Sequence, residues 1–157
     1  ARLGKRISEQ KAAGCFVIVS VHWGREGVHY PPRKVVAAAH WMVDAGADVV
    51  VGHHPHVLQG VEFYGKGAIA YSLGNFVFTN RNPNKRETGM LSIRLPKAGP
   101  VRLLELAFVP AMIQTRGFFP KLSTPKQRRR TLGRFASWSK RFGTRVVERD
   151  ERLVFAK

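Results

Sequence analysis

Six histidines are spread over 157 residues, and three of them crowd into the stretch A-D-V-V-V-G-H-H-P-H-V-L-Q, Ala47 to Gln59. Neutral imidazole is a common ligand for zinc, manganese and iron, so an H-H-x-H group closing an apolar run points to metal or phosphate chemistry. Val49, Val50 and Val51 are all β-branched and predict a central strand covered on both faces. Gly52 is expected to let the backbone turn away at the strand's carboxyl end, where open α/β sheets place their ligands. Side chains alternate along extended backbone, which assigns His54 and His56 to one face and His53 to the other. Pro55 is expected to fix φ between the pair and to bias His54 toward the extended region.

A second apolar run, Cys15 to Val21, also ends in a histidine, His22, and predicts a second buried strand. The only cysteine, Cys15, opens that run and reads as a small buried hydrophobe, with no disulfide framework and no cysteine zinc site in prospect. Trp23, Gly24, Arg25 and Glu26 follow as a loop, with Gly24 permitting close approach to a bound group and Glu26 placed to orient a histidine or contact substrate. Between the two strands, Pro31 and Pro32 open a helix whose apolar positions Val35, Val36, Ala39, Met42 and Val43 keep helical spacing up to Gly46. Strand, helix and strand at this length predict a right-handed parallel βαβ unit with both carboxyl ends on one sheet edge. That topology carries His22 toward His54 and His56, and leaves His40 in the helix as a surface or packing residue rather than a ligand.

The elements that must flank this unit are less regular. Residues 3 to 13 predict a brief helix stopped at Gly14. Gly60 to Tyr64 and Ala68 to Ser72 read as strands around the turn Gly65-Lys66-Gly67. Leu73 to Phe76 reads as a tight turn; the Ser72 hydroxyl before it and the Asn75 amide within it are candidate ligand contacts, the alternative being a turn in which Asn75 bonds its own backbone. Residues 80 to 89 form a polar, basic loop, and Met90 to Leu95 pairs with Val101 to Val109 as a hairpin. Beyond Pro110 the pattern dissolves. Phe135, Trp138 and Phe142 recur at i, i+3 and i+7, the spacing of one face of a short basic amphipathic helix.

The net charge of +17 is unevenly placed. Residues 1 to 115 hold 14 Lys and Arg against 7 Asp and Glu, and residues 116 to 157 hold 13 against 3. We therefore divide the chain into a domain over 1–115 and a basic tail over 116–157, the tail suited to an anionic polymer or an acidic membrane surface, with nucleic acid less favoured. No stretch approaches the roughly 18 apolar residues of a membrane span. No secretory leader pattern opens the chain.

The motifs H-W-G-R-E (His22 to Glu26), G-H-H-P-H-V-L-Q (Gly52 to Gln59) and Y-S-L-G-N-F (Tyr71 to Phe76) together resemble the CapA family, the poly-γ-glutamate capsule synthesis proteins of the metallophosphatase superfamily. The resemblance covers roughly residues 1 to 115. It implies an α/β calcineurin-like sandwich, here a βαβ unit followed by antiparallel strands, presenting a two-metal site at strand ends. It further implies His22, His54 and His56 as metal ligands, with His53, Glu26, Ser72 and Asn75 on the substrate side. The ions expected are manganese, zinc or iron, and the substrate a phosphoester or anionic polymer. The superfamily's earlier Gly-Asp and Asn-His motifs do not occur, so the chain resembles the carboxyl half of such a domain, a hydrolase expected to be inactive as this fragment. A cell-surface or membrane-associated location follows from the resemblance. A non-catalytic module that binds polyanions is the alternative.

Overall fold

In the computed structural model, which describes residues 2–157, two sheets and three helices give a mixed α/β fold. Helix α1 (Arg2–Ala12) buries Ile7 and ends before Gly14, whose φ of 81° suits a glycine stop. Strand β1 (Ile18–His22), helix α2 (Arg33–Asp44) and strand β2 (Val49–His53) make the parallel βαβ unit the sequence predicts. Strands β3 (Val61–Tyr64) and β4 (Gly67–Ala70) close a hairpin around Gly65 and Lys66, and β4 runs parallel to β2. The first sheet has the order β1-β2-β4-β3.

Val35, Ala39, Met42 and Val43 of α2 pack with Ile7, Val50, Ile69 and Tyr71 on one face of that sheet. Asp48, at the foot of β2, ties α1 and the chain before β1 to it by accepting from Lys11 Nζ at 2.7 Å and from the Val17 amide at 2.8 Å. The expectation of two buried strands holds for β2 and not for β1. Strand β1 lies at the sheet edge, and its residues alternate in exposure, with Ile18 51% exposed. An unbroken apolar run cannot distinguish a strand with two neighbours from one with a single neighbour. Cys15 likewise lies before β1 and is exposed rather than buried.

The second sheet contains β5 (Glu87–Arg94), β6 (Glu105–Ile113), β7 (Pro120–Leu122), β8 (Arg145–Arg149) and β9 (Arg152–Ala156), with the order β5-β6-β9-β8 and β7 paired to β6. Residues 116–157, expected as a basic tail, thus supply three strands and the helix α3 (Pro125–Lys140) to the folded body. Leu106, Ala107 and Phe108 of β6 pair with Phe155, Val154 and Leu153 of β9. Phe135 and Trp138 of α3 are buried in one cluster with Leu58, Val61, Ala68, Phe108 and Phe155, so the core is shared by both sheets and α3. The amphipathic helix read from Phe135 and Trp138 is real. It starts ten residues before Phe135, at Pro125, where Thr124 and Gln127 form a reciprocal capping box. Phe142 falls beyond its end and stacks on Tyr71 at 5.0 Å between ring centres.

The basic run is held by a few carboxylates. Glu87 is 1% exposed and accepts from Arg130 at 2.7 Å and from Arg134 at 2.6 Å. Arg128 pairs with Glu148 and Glu151, and Arg149 with Glu105. A buried carboxylate persists only where charge partners compensate its desolvation, and here the helix supplies two.

Candidate functional site

The three motifs fold into one interlocked unit at the carboxyl ends of β1 and β2. His22 and His53 are partners on the last rung of that parallel pair. Past the rung, the Trp23 amide donates to the His53 carbonyl at 3.2 Å, the Gly27 amide to the Pro55 carbonyl at 2.8 Å, and the Leu73 amide to the Gly52 carbonyl at 3.2 Å. Trp23 Nε1 reaches across β2 to donate to the Tyr71 carbonyl at 3.1 Å.

That crossing explains Gly52 differently from the turn expected of it. Gly52 lies within β2, and a Cβ there would stand 2.0 Å from the Tyr71 carbonyl oxygen and 2.3 Å from Trp23 Nε1. Its lack of a side chain is what lets the first and third motifs meet over the second. Gly24, at φ 99°, leaves room for the Pro55 ring in the same way.

The extended alternation argued for the histidine group does not describe it. His54 has φ 86° and His56 φ 57°, both in the left-handed region that residues with a Cβ rarely adopt. Each such residue costs on the order of 1 kcal/mol, which the surrounding hydrogen bonds must offset. The result brings His22 and His54 together, with His22 Nε2 and His54 Nδ1 2.9 Å apart and the rings edge to face. The His56 ring lies 6.1 Å from that of His54, between Phe78 and Asn75. His53 is half-buried, and its pKa is held below the ordinary histidine value, first by burial and then by the neighbouring His22.

Two imidazole nitrogens bound at right angles to one six-coordinate cation at about 2.1 Å would be separated by about 3 Å, against about 3.4 Å on a tetrahedral zinc. The His22 and His54 nitrogens stand at ordinary hydrogen-bond distance, one ring donating to the other, and that spacing is also close to the separation of two neighbouring ligands on a six-coordinate cation. Among the described residues, however, no group of three or more His, Cys, Asp or Glu side chains is gathered closely enough to hold a metal ion.

The residues expected on the substrate side are engaged with the protein itself. Ser72 is 1% exposed and its hydroxyl accepts from the Gly74 amide. Asn75 is 6% exposed, accepts from His56 Nδ1 at 2.5 Å and donates to the Lys85 carbonyl at 2.9 Å. Glu26 pairs with Lys85 across the rim, and that bond and charge, ahead of weaker contributions from His56 and His54, hold its carboxyl below the usual range. Lys85 and Thr88, whose hydroxyl donates to the Asn75 carbonyl, were not singled out by sequence. The polar loop of residues 80 to 89 marks only that a turn is present, and nothing in its composition says which loop it clamps.

The remaining histidines support the frame. His40 Nε2 lies 3.0 Å from Glu62 Oε1 and its ring stacks on Tyr64. His29 stacks on Trp138 and contacts the Leu58 carbonyl through Nδ1 at 2.9 Å.

Comparison with known proteins points one way. The chain is 33% identical over 162 residues to the capsule biosynthesis protein CapA of Bacillus anthracis, a match over 99% of this chain and 39% of that protein. It is 44% identical over 96 residues to the PGA biosynthesis protein CapA of Bacillus subtilis, covering 61% of this chain and 25% of that one. A probable polyglutamine synthesis accessory protein of Mycobacterium tuberculosis is 30% identical over 95% of this chain and 40% of its own length. The chain thus spans at most about two-fifths of these relatives. The family model for the bacterial capsule synthesis protein PGA_cap matches residues 1–80, which hold all three motifs, and the chain belongs to that family.

Proposed function

We propose that this chain forms the histidine-bearing part of a metal-dependent hydrolase of the phosphatase type, working in the synthesis of a bacterial capsule or poly-γ-glutamate polymer. The observation that carries the reading is the 2.9 Å approach of His22 Nε2 to His54 Nδ1 at adjacent parallel strand ends. The names of the relatives supply the capsule and polymer context. His22, His54 and His56 would hold manganese, zinc or iron, and the architecture assigned is the calcineurin-like sandwich, supported by two sheets around a shared core. A cation bound there supplies Lewis acidity toward a phosphoryl or carbonyl oxygen. The chain's own part is to hold the imidazoles at fixed spacing and to shape the rim through the Glu26 and Lys85 pair.

With three histidines, a Glu26 carboxylate already paired with Lys85, and no cluster of three or more ligands among the described residues, the chain by itself is expected to bind an ion weakly and to turn over little. The assay is hydrolysis of a generic phosphodiester with added manganese, zinc or iron, run on this chain and on a version carrying further upstream sequence. Turnover confined to the longer version and lost in His54→Ala supports the reading. Robust, metal-dependent and His54-dependent turnover by the short chain contradicts the partial site, and failure of either version to bind metal contradicts the metal itself.

A second reading, a surface that binds an anionic polymer or acidic lipid without chemistry, draws on Lys126, Arg129 and Lys140. These cations are exposed along α3 and, among the described residues, stand outside its ion pairs. Replacing all three by Gln should flatten the salt dependence of binding to poly-γ-glutamate. Unchanged binding would remove this reading.

A further inference from the structure

We propose that Asn75 is a positioning residue that locks His56 in the tautomer protonated at Nδ1 and so presents Nε2 as its ligand atom. The ligand role rests on the metal reading above, whereas the tautomer does not. The Asn75 amide nitrogen faces two backbone carbonyls, that of Lys85 at 2.9 Å and that of His56 at 3.4 Å. A carbonyl only accepts, so the nitrogen of the amide must occupy that side and Oδ1 must face the imidazole. Oδ1 in turn only accepts, and it stands 2.5 Å from His56 Nδ1. At that distance the ring nitrogen has to carry the proton. In a neutral ring the lone pair is then left at Nε2.

This is the opposite of the tautomer that free histidine prefers, so the protein must impose it. Asn75 is well placed to do so, because it is 6% exposed and its own orientation is over-determined. Its side chain bonds the Lys85 carbonyl, its main-chain carbonyl accepts from the buried Thr88 hydroxyl at the start of β5, and Gly74 before it sits at φ 68°. The same amide touches both the ring and the main chain of His56, a residue held at φ 57°. Loss of a partner that orients a ligand histidine typically weakens metal binding by about 10–100-fold.

The test begins with the metal-free chain labelled with nitrogen-15. Long-range proton–nitrogen correlation of the imidazoles, with the His56 signals assigned by their loss in His56→Gln, should show a protonated Nδ1 and an unprotonated Nε2. Asn75→Ala should release the ring to the other tautomer and weaken zinc binding by about 10–100-fold. A proton at Nε2 of the wild-type ring, or a tautomer and a zinc affinity both indifferent to Asn75→Ala, overturns the assignment. Zinc binding unaffected by His54→Ala would instead strike the metal reading, and the wild-type spectrum would still decide the tautomer.

Discussion

Around β1 and β2, close contacts are dictated by residue type: no side chain fits at Gly52 beneath Trp23, and Gly24 makes room for Pro55. Around α3, β8 and β9 the contacts are of another kind. Apolar rings fill a common core, and a cationic helix is fastened by carboxylates far away in sequence, Glu87 above all. The first region owes its shape to steric necessity at particular residues of recognisable motifs, the second to shared apolar packing and to ion pairs such as those of Glu87, 43 and 47 positions from its arginines. A motif search sees the first and is nearly blind to the second. Yet the second supplies the wall against which the site loops rest, since Thr88 of β5 and Lys85 before it hold Asn75.

If the basic segment were an appendage, deleting residues 116–157 would leave a folded remainder. We expect the reverse and the largest effect of any change considered. Truncation removes β7, α3, β8 and β9 and uncovers Phe108 and Leu106, so the product should lose cooperative thermal unfolding and aggregate. Circular dichroism and sedimentation of the truncated chain decide this. A sharp unfolding transition would restore the domain-and-tail division.

Gly52→Ala probes the site region at its tightest point. The added methyl would overlap the Tyr71 carbonyl and the Trp23 indole, so β2 or the 71–76 loop must shift, at a cost of about 3 kcal/mol. Denaturant unfolding measures it. A loss below about 1 kcal/mol would mean that the crossing is loose.

Glu87→Gln is the matching probe of the second region. It leaves two guanidinium groups beside a buried neutral amide. Because both arginines reach solvent, about 2 kcal/mol is expected rather than the full cost of breaking a buried pair. The same unfolding assay applies, and an unchanged midpoint would make these ion pairs incidental.

The pH dependence of stability should be the smallest effect. His53 has a folded pKa below its ordinary 6.5, so the unfolded chain binds more protons in the interval between the two values. Stability should therefore fall as pH is lowered from 6.5 through that interval and level off below it. His53→Gln should flatten this decline in thermal melts, and an identical slope would assign it to another group.

Much of the site was legible because its signals are local. The valine run, Pro31-Pro32 and Gly46 announced the βαβ unit, Gly65-Lys66-Gly67 the β3–β4 hairpin, and the three motifs the neighbourhood of His22, His54 and His56. The geometry of that neighbourhood was not legible, because alternation presumes extended backbone and the two histidines leave it. Nor was the β8–β9 hairpin. Its turn places Asp150 at φ 50° and Glu151 at φ 61°, a conformation usually marked by Asn-Gly, so the ordinary signal is missing. The helix α3 showed only its aromatic face, since the acidic partners of its arginines are distant in sequence.

The proposed site takes His22 and His54 as two adjacent positions around one cation. It is tested most directly by titrating the metal-free chain with zinc in a calorimeter, beside His22→Ala and His54→Ala. One equivalent should bind to the wild-type chain, with affinity weakened at least about 10–100-fold in each variant, no less than the loss of an outer-sphere partner costs. Wild-type affinity retained in both variants, or no binding by a chain whose unfolding remains cooperative, would contradict it.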